Sequence, residues 1–109
     1  KLNTFLMLCN NRRHYTSQGI FIILTSQQYI GSVDLKIRKC ISHLVFWSSK
    51  NKKEIEAVRK EYLSFLDEKQ MRELLKMVWR KTHDFLYLST YEAQEKMIFR
   101  NWNLIDYVI

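Results

Sequence analysis

The chain has 109 residues and a formal net charge of +7, so it holds one domain at most and favours a polyanion as its neighbour. Apolar residues make up 47% of it, which excludes a disordered chain. The longest apolar stretch, residues 20–24, is far shorter than the roughly 20 residues that cross a bilayer, so we expect no membrane partner.

The first third of the chain predicts a helix, a buried strand and a second helix. Apolar side chains recur at helical spacing over residues 2–11. Residues 20–24 are five consecutive apolar residues without alternation, which is typical of a strand buried inside a parallel sheet. A polar stretch, residues 25–28, ends that strand. Ser32 is the predicted N-cap of a short helix that runs to about Lys39.

The middle of the chain predicts one strand and two amphipathic helices. The strand covers residues 43–47. Asn51 and Glu54, and then Asp67 and Gln70, have the three-residue spacing of helix N-terminal capping boxes. Each start is followed by an apolar stripe at helical spacing. The two stripes are Ile55, Val58, Tyr62, Phe65 and Leu66, and then Met71, Leu74, Leu75, Val78 and Trp79.

The end of the chain predicts a β-hairpin. Residues 85–89 and 97–102 have strand character, and the polar residues 91–95 join them. The predicted order is therefore helix, strand, short helix, strand, two helices and a hairpin. This order favours the α/β class, with an antiparallel edge on the sheet.

The most informative segment spans residues 11–47. It contains Asn11-Arg12-Arg13-His14-Tyr15, then Gly19-Ile20-Phe21-Ile22-Ile23-Leu24-Thr25-Ser26-Gln27, then Ile37-Arg38-Lys39-Cys40-Ile41 and Leu44-Val45-Phe46-Trp47. The combination resembles the second half of the genome-packaging ATPases of large DNA viruses, the poxvirus-type branch of the FtsK–HerA superfamily. Residues 51–62 and 85–88 resemble the helix and terminal hairpin that follow in that family, so the resemblance covers nearly the whole chain.

The resemblance implies a single partial ATPase domain over residues 1–109. Its fold would be the C-terminal part of a P-loop NTPase-type sheet, with flanking helices and a C-terminal β-hairpin. The intact enzyme would use ATP and Mg²⁺ to translocate double-stranded DNA into the virion, as a homo-oligomeric ring. It would work in the host cytoplasm or the virion.

The resemblance also assigns two catalytic residues. At the carboxyl end of a central strand, Gln27 would hold the attacking water in line with the γ-phosphate, because a neutral amide can both donate and accept. An arginine that reaches across from a neighbouring subunit would stabilise the developing phosphoryl charge. Arg13 is the first candidate for this arginine, followed by Arg12 and Arg38. For Arg12 and Arg38, a solvated side chain or a DNA-phosphate contact fits better than a catalytic role. Without the family resemblance, a glutamine at a strand end would be interpreted as a solvated side chain with no catalytic role.

One departure from the family limits what this chain can do. Phosphoryl transfer requires a Gly-rich loop with Gly-Lys-Ser/Thr and an acidic pair for Mg²⁺ and water. Neither Gly19 nor Gly31 is followed by Lys, and no predicted strand ends in two acidic residues. The family places both motifs upstream of the matched region. We therefore expect no bound cofactor and no ATP hydrolysis from this chain alone.

The remaining patterns leave two alternatives. The chain could be a non-catalytic basic module that binds nucleic acid or a motor partner, or a degenerate copy without activity. Residues available for phosphate contact are Arg12, Lys36, Arg38 and Lys39, and then Lys50, Lys52 and Lys53. A solvated helix face explains the basic residues of 36–39 and 50–53 equally well. The tryptophans Trp47, Trp79 and Trp102 lie in apolar stripes, which favours the core or an interface over base stacking.

Overall fold

The computed structural model describes residues 22–105. They belong to two compact units, Lys1–Ile41 and Ser42–Ile109. The described part of the first unit contains two single-turn helices, α1 (Tyr29–Ser32) and α2 (Leu35–Arg38). The helix predicted over residues 2–11 lies outside the described residues.

The second unit combines two longer helices with a small sheet, so the chain mixes α and β structure as predicted. Within the described residues, no helix is long and apolar enough to span a bilayer. The elements in chain order are β1 (His43–Trp47), α3 (Lys52–Tyr62), α4 (Glu68–Val78), β2 (Phe85–Ser89), a 3-10 turn (Gln94–Lys96), β3 (Ile98–Arg100) and β4 (Asn103–Leu104).

The sheet of the second unit is an antiparallel meander with strand order β1-β2-β3-β4. In its register Val45 lies opposite Tyr87, and Tyr87 lies opposite Phe99. Every strand pair among residues 22–105 is antiparallel, so the parallel sheet expected from the sequence is not seen there. The parallel strands expected from the sequence were residues 20–24 and 43–47, and residues 22–24 form no strand. Strand β1 pairs antiparallel with β2, because the two successive helices between them bring the chain back to the end at which β1 finished.

The predicted strand over residues 20–24 is not seen in its described part. Residues 22–24 form no strand, Ile23 is 77% exposed and Leu24 is 50% exposed. An apolar run becomes a buried strand only when neighbouring strands bond both of its edges and helices cover its faces. No described strand pairs with residues 22–24, and the side chains of Ile23 and Leu24 face solvent instead.

Side-chain caps fix where the helices begin. The predicted N-cap Ser32 is instead the last residue of α1, and Asp34 caps α2 by accepting from the backbone N–H of Lys36 at 2.9 Å. Asn51 caps α3 as predicted, and Asp67 forms the predicted capping box with Gln70 at the start of α4. The cap of α2 is therefore two residues later than predicted.

One face of the sheet packs against the helices to form the core. Helix α3 ends at Tyr62, although the apolar stripe predicted a helix as far as Leu66. Leu66 is still buried, and its backbone carbonyl accepts a hydrogen bond from the Arg59 guanidinium at 2.8 Å. Strand β3 is also shorter than predicted, because Asn101 has a φ of 54° and reverses the chain into β4. The fully buried side chains are Val58, Leu63, Leu66, Met71, Leu74, Val78, Leu86, Leu88 and Ile98.

Candidate nucleic-acid interface

Gln27 lies at the entrance to a helix. It is exposed, in a bend just before α1, and no strand precedes it within residues 22–26. The neighbouring backbone is held by Ser26, whose hydroxyl donates to the carbonyl of Gln28 at 2.6 Å and accepts from its N–H at 3.2 Å. The described residues therefore do not form the strand-end crevice expected around Gln27, and its role in orienting water stays a prediction.

The predicted arginine and lysine contacts have different surroundings. Arg12 and Arg13 lie outside the described residues, so their assignments stay predictions. On α2, Lys36 and Lys39 are exposed, while the Arg38 guanidinium lies 4.9 Å from the centroid of the Tyr29 ring. This distance is typical of a cation–π contact, which holds Arg38 against its own unit. Lys36 and Lys39 are thus the more accessible cations of α2.

Within residues 22–105, the structure shows no grouping of side chains that would hold ATP and Mg²⁺. The sequence contains no Gly-Lys-Ser/Thr. Among the side chains described, no three His, Cys, Asp or Glu groups converge as a metal site would require. A phosphate loop and acidic metal ligands are the groups that such a site needs, and we derive no catalytic step from this chain alone.

A continuous aromatic surface covers the other face of the sheet. Side chains alternate between faces along a strand, so Trp47 on β1 and both Phe85 and Tyr87 on β2 point to the same side. Leu86 and Leu88 point to the opposite side, into the core. We define the aromatic face as Trp47, Phe85, Tyr87, Phe99 and Trp102.

The rings of the aromatic face contact one another in sequence. Ring centroids lie 5.6 Å apart for Trp47 and Phe85 and 4.9 Å apart for Phe85 and Trp102. The Tyr87 ring lies 5.3 Å from Trp102 and 5.0 Å from Phe99. The interplanar angles range from 40° to 70°, the tilted and edge-to-face geometries that aromatic pairs prefer. These contacts restrict the rotamers of the rings and form a rigid surface.

The two tryptophans of the aromatic face remain largely accessible. Trp47 is 56% exposed and Trp102 is 69% exposed, whereas Phe85, Tyr87 and Phe99 are half-buried. At the far end of β1, the His43 Nδ1 and the Tyr87 hydroxyl share a hydrogen bond of 2.9 Å, whose direction depends on the histidine tautomer. Large exposed aromatic side chains that contact each other mark a binding surface.

A group of cations lies at the end of the sheet where Trp47 and Phe85 are paired. Two segments adjoin this end, because residues 50–53 follow β1 closely and residues 80–81 precede β2 closely. All five of their lysine and arginine side chains are exposed. We define this cationic rim as Lys50, Lys52, Lys53, Arg80 and Lys81.

The acidic residues beside the cationic rim are removed from the surface. Glu54 is buried in the first turn of α3. Asp84 is 8% exposed and accepts from the Asn101 amide at 3.1 Å, the Lys81 N–H at 2.9 Å and the Arg100 guanidinium at 2.7 Å. The Asn101 bond, followed by the Lys81 and Arg100 bonds, lowers the pKa of Asp84 to about 2. The exposed charge at this end of the sheet is therefore positive.

Sequence reasoning did not find the aromatic face. It placed Trp47, Trp79 and Trp102 in the core or an interface, and only Trp79 packs as a core residue would, with its ring 5.3 Å from Phe46 and its indole N–H donating to the Phe46 carbonyl at 3.2 Å. The available signal was alternation. In residues 85–88 aromatic residues and leucines alternate, and alternate residues of a strand point to opposite faces of the sheet. The aromatic residues are therefore assigned to a separate face.

Comparisons with protein-family models, with curated proteins and with solved structures found no match to this chain.

Proposed function

We propose that this chain is the C-terminal part of a DNA-packaging ATPase of the FtsK–HerA superfamily, and that it depends on an upstream half for nucleotide hydrolysis. The proposal is supported by the motif combination over residues 11–47. It is also supported by the element order from residue 43 onward, where β1, α3 and the β2–β3 hairpin occur in the order that the resemblance implies.

The observation that carries the proposal is the position of β1. Its five residues, His43–Trp47, form a full-length strand at one end of the sheet order, and no described residue pairs with its outer edge. Folded proteins usually shorten, charge or cover such an edge, because its unpaired backbone groups recruit other strands. The central residues of β1 are Leu44, Val45 and Phe46, without a charge. We infer that a strand from the upstream half pairs with β1 in the complete domain.

In the proposed complete domain the roles are divided between two halves. The upstream half supplies the phosphate loop and the acidic residues for Mg²⁺. This chain supplies Gln27, which orients the attacking water, and Arg13, which stabilises charge at the site of a neighbouring subunit in a ring. The ring translocates double-stranded DNA into the virion, in the virion itself or in the host cytoplasm.

The test is ATP hydrolysis by the chain alone and after mixing with a polypeptide that carries the upstream half. We expect hydrolysis only in the mixture, and we expect Gln27→Ala to abolish most of it. Gln28→Ala is the matched control, because Gln28 is an adjacent glutamine whose side chain makes no cap hydrogen bond to α1. A folded, associated pair that hydrolyses no ATP would contradict the motor function.

A non-catalytic module that binds nucleic acid is the second candidate. The specific observation in its favour is the aromatic face beside the cationic rim, since neither feature is needed for phosphoryl transfer. The two candidates differ in one result. A non-catalytic module binds nucleic acid equally well with and without the upstream half, and it adds nothing to the ATPase activity of that half.

A further inference from the structure

We infer that the aromatic face and the cationic rim together form a binding surface for single-stranded nucleic acid, which works without ATP. This inference goes beyond the proposed function, because translocation of double-stranded DNA does not require contact with unstacked bases. It rests on three properties of the described residues: accessible rings, neighbouring exposed cations and buried acidic groups.

The aromatic face has the chemistry of a base-stacking platform. Bases of a single strand can lie on aromatic side chains regardless of sequence, because every base has a π face. The accessible rings of Trp47 and Trp102 lie on either side of Phe85, and each contacts it directly. Because ring packing already restricts these side chains, a bound base would cost little additional side-chain entropy.

The cationic rim supplies the second component that such binding needs. Bases that lie on Trp47 or Phe85 would place the connecting phosphates at the same end of the sheet as residues 50–53 and 80–81. The acidic neighbours Glu54 and Asp84 are buried, so they leave the phosphates facing positive charge. Lysine and arginine contacts to phosphates provide most of the sequence-independent affinity of nucleic-acid-binding proteins.

The same features argue against two other occupants. A second copy docked face to face with its strands in the same orientation would bring one cationic rim against another, and like charges brought together lower affinity. Duplex DNA hides its base faces inside the stack, so it could use the rim but not the rings. A single strand is the polyanion that uses both.

The experiment measures binding of a fluorescein-labelled oligothymidine of about a dozen nucleotides, within the range of site sizes for such surfaces, by fluorescence anisotropy. The full chain is used without ATP. Loss of stacking on one ring corresponds to about a tenfold to a hundredfold loss of affinity, which we expect for Trp102→Ala. Trp102→Phe keeps a ring and should retain most of the affinity. Tyr91→Ala is the aromatic control, because Tyr91 is exposed but contacts the distant His43 end of β1.

A second pair of variants tests the cationic rim. Lys53→Ala should weaken binding and reduce the salt dependence of the affinity, since each phosphate contact contributes about 0.7 to the slope for single strands. Lys69→Ala is the matched control, because Lys69 is an exposed lysine in the first turn of α4, about three helical turns before residues 80–81. Circular dichroism of every variant verifies the fold.

Four results would overturn the inference. One is no measurable binding of oligothymidine at low salt by the folded chain. The second is unchanged affinity in a folded Trp102→Ala variant, and the third is equal affinity for a matched duplex. The fourth is Trp102-dependent self-association without nucleic acid, which would identify the aromatic face as a protein interface. None of these results bears on ATP hydrolysis by the mixture with the upstream half.

Discussion

Asp84 joins the beginning of β2 to the end of β3. Its carboxylate accepts from the Asn101 amide, from the Lys81 N–H and from Arg100, while the Asn101 amide oxygen accepts from the Phe85 N–H at 2.9 Å. Asn101 has a positive φ, a conformation that asparagine adopts more readily than most residues. Since Trp102 follows Asn101 directly, this polar cluster also fixes the position of the most exposed ring of the aromatic face.

The lowered pKa of Asp84 predicts a pH dependence of stability. The folded pKa is about 2 against an ordinary value of 3.8, so the ionised form is favoured by folding. Its stabilising contribution is complete above the ordinary value and is lost as the pH falls from about 3.8 to about 2. Urea unfolding of the chain across this window should show that loss, and Asp84→Asn should remove it together with part of the stability at neutral pH.

The control for Asp84→Asn is Glu95→Gln, which removes an exposed carboxylate from the 3-10 turn. Equal pH dependence in the parent chain and in Asp84→Asn would show that Asp84 does not stabilise the fold in its ionised form.

Among the elements, the best predictions came from local signals. Asn51, Asp67 and Gln70 marked the starts of α3 and α4, because capping depends on a few adjacent residues and little on the rest of the fold. Strand β1 was also predicted at its observed bounds, since polar serines end its apolar run. Short elements were predicted less well. The N-cap was predicted at Ser32, whereas Asp34, two residues later, caps α2.

The capping box of α4 provides a prediction at the scale of one element. Asp67→Ala should lower the free energy of unfolding by about 1 kcal/mol, because it leaves the Gln70 N–H without its acceptor at 2.7 Å. Asp67→Ser keeps an oxygen in the capping position and should retain most of the stability. Urea unfolding at neutral pH measures both. Equal destabilisation by the two variants would mean that the carboxylate acts through charge rather than through capping.

At the scale of the whole molecule, the sheet topology could not be read from the sequence. The apolar runs of residues 20–24 and 43–47 predicted buried strands, but strand pairing depends on contacts distant in sequence, which no local pattern records. The pairing of β1 with β2 spans the two helices between them. The site was predicted less completely than the fold. Gln27 and the basic residues could be named, whereas the aromatic face emerged only when the strand register placed its rings together.

The edge position of β1 predicts association of the isolated chain. Two copies can pair edge to edge through the backbone of β1, since this edge is uncharged and has no partner among the described residues. We expect light scattering after gel filtration to show a mass that rises with concentration. Trp47→Lys should suppress this association by placing a charge on the edge strand. Leu104→Lys, an exposed substitution on the two-residue strand β4 at the other end of the sheet, should not.

The contrary result is a monomer that melts sharply at a temperature independent of concentration. It would show that β1 is protected without a partner, and it would remove the observation that carries the proposed upstream strand.

The order of the sheet also has a consequence for how the chain acquires its structure. Strands β2, β3 and β4 are joined by short connections, so their pairing closes small loops and costs little entropy. Strand β1 can dock only after α3 and α4 have brought the chain back to β2. The C-terminal meander is therefore the part whose pairing costs the least loop entropy, and we expect β1 to be the last strand incorporated. A transiently opened chain would then expose β1 while the rest of the sheet stays formed, which gives an incoming strand an opportunity to pair before the structure closes.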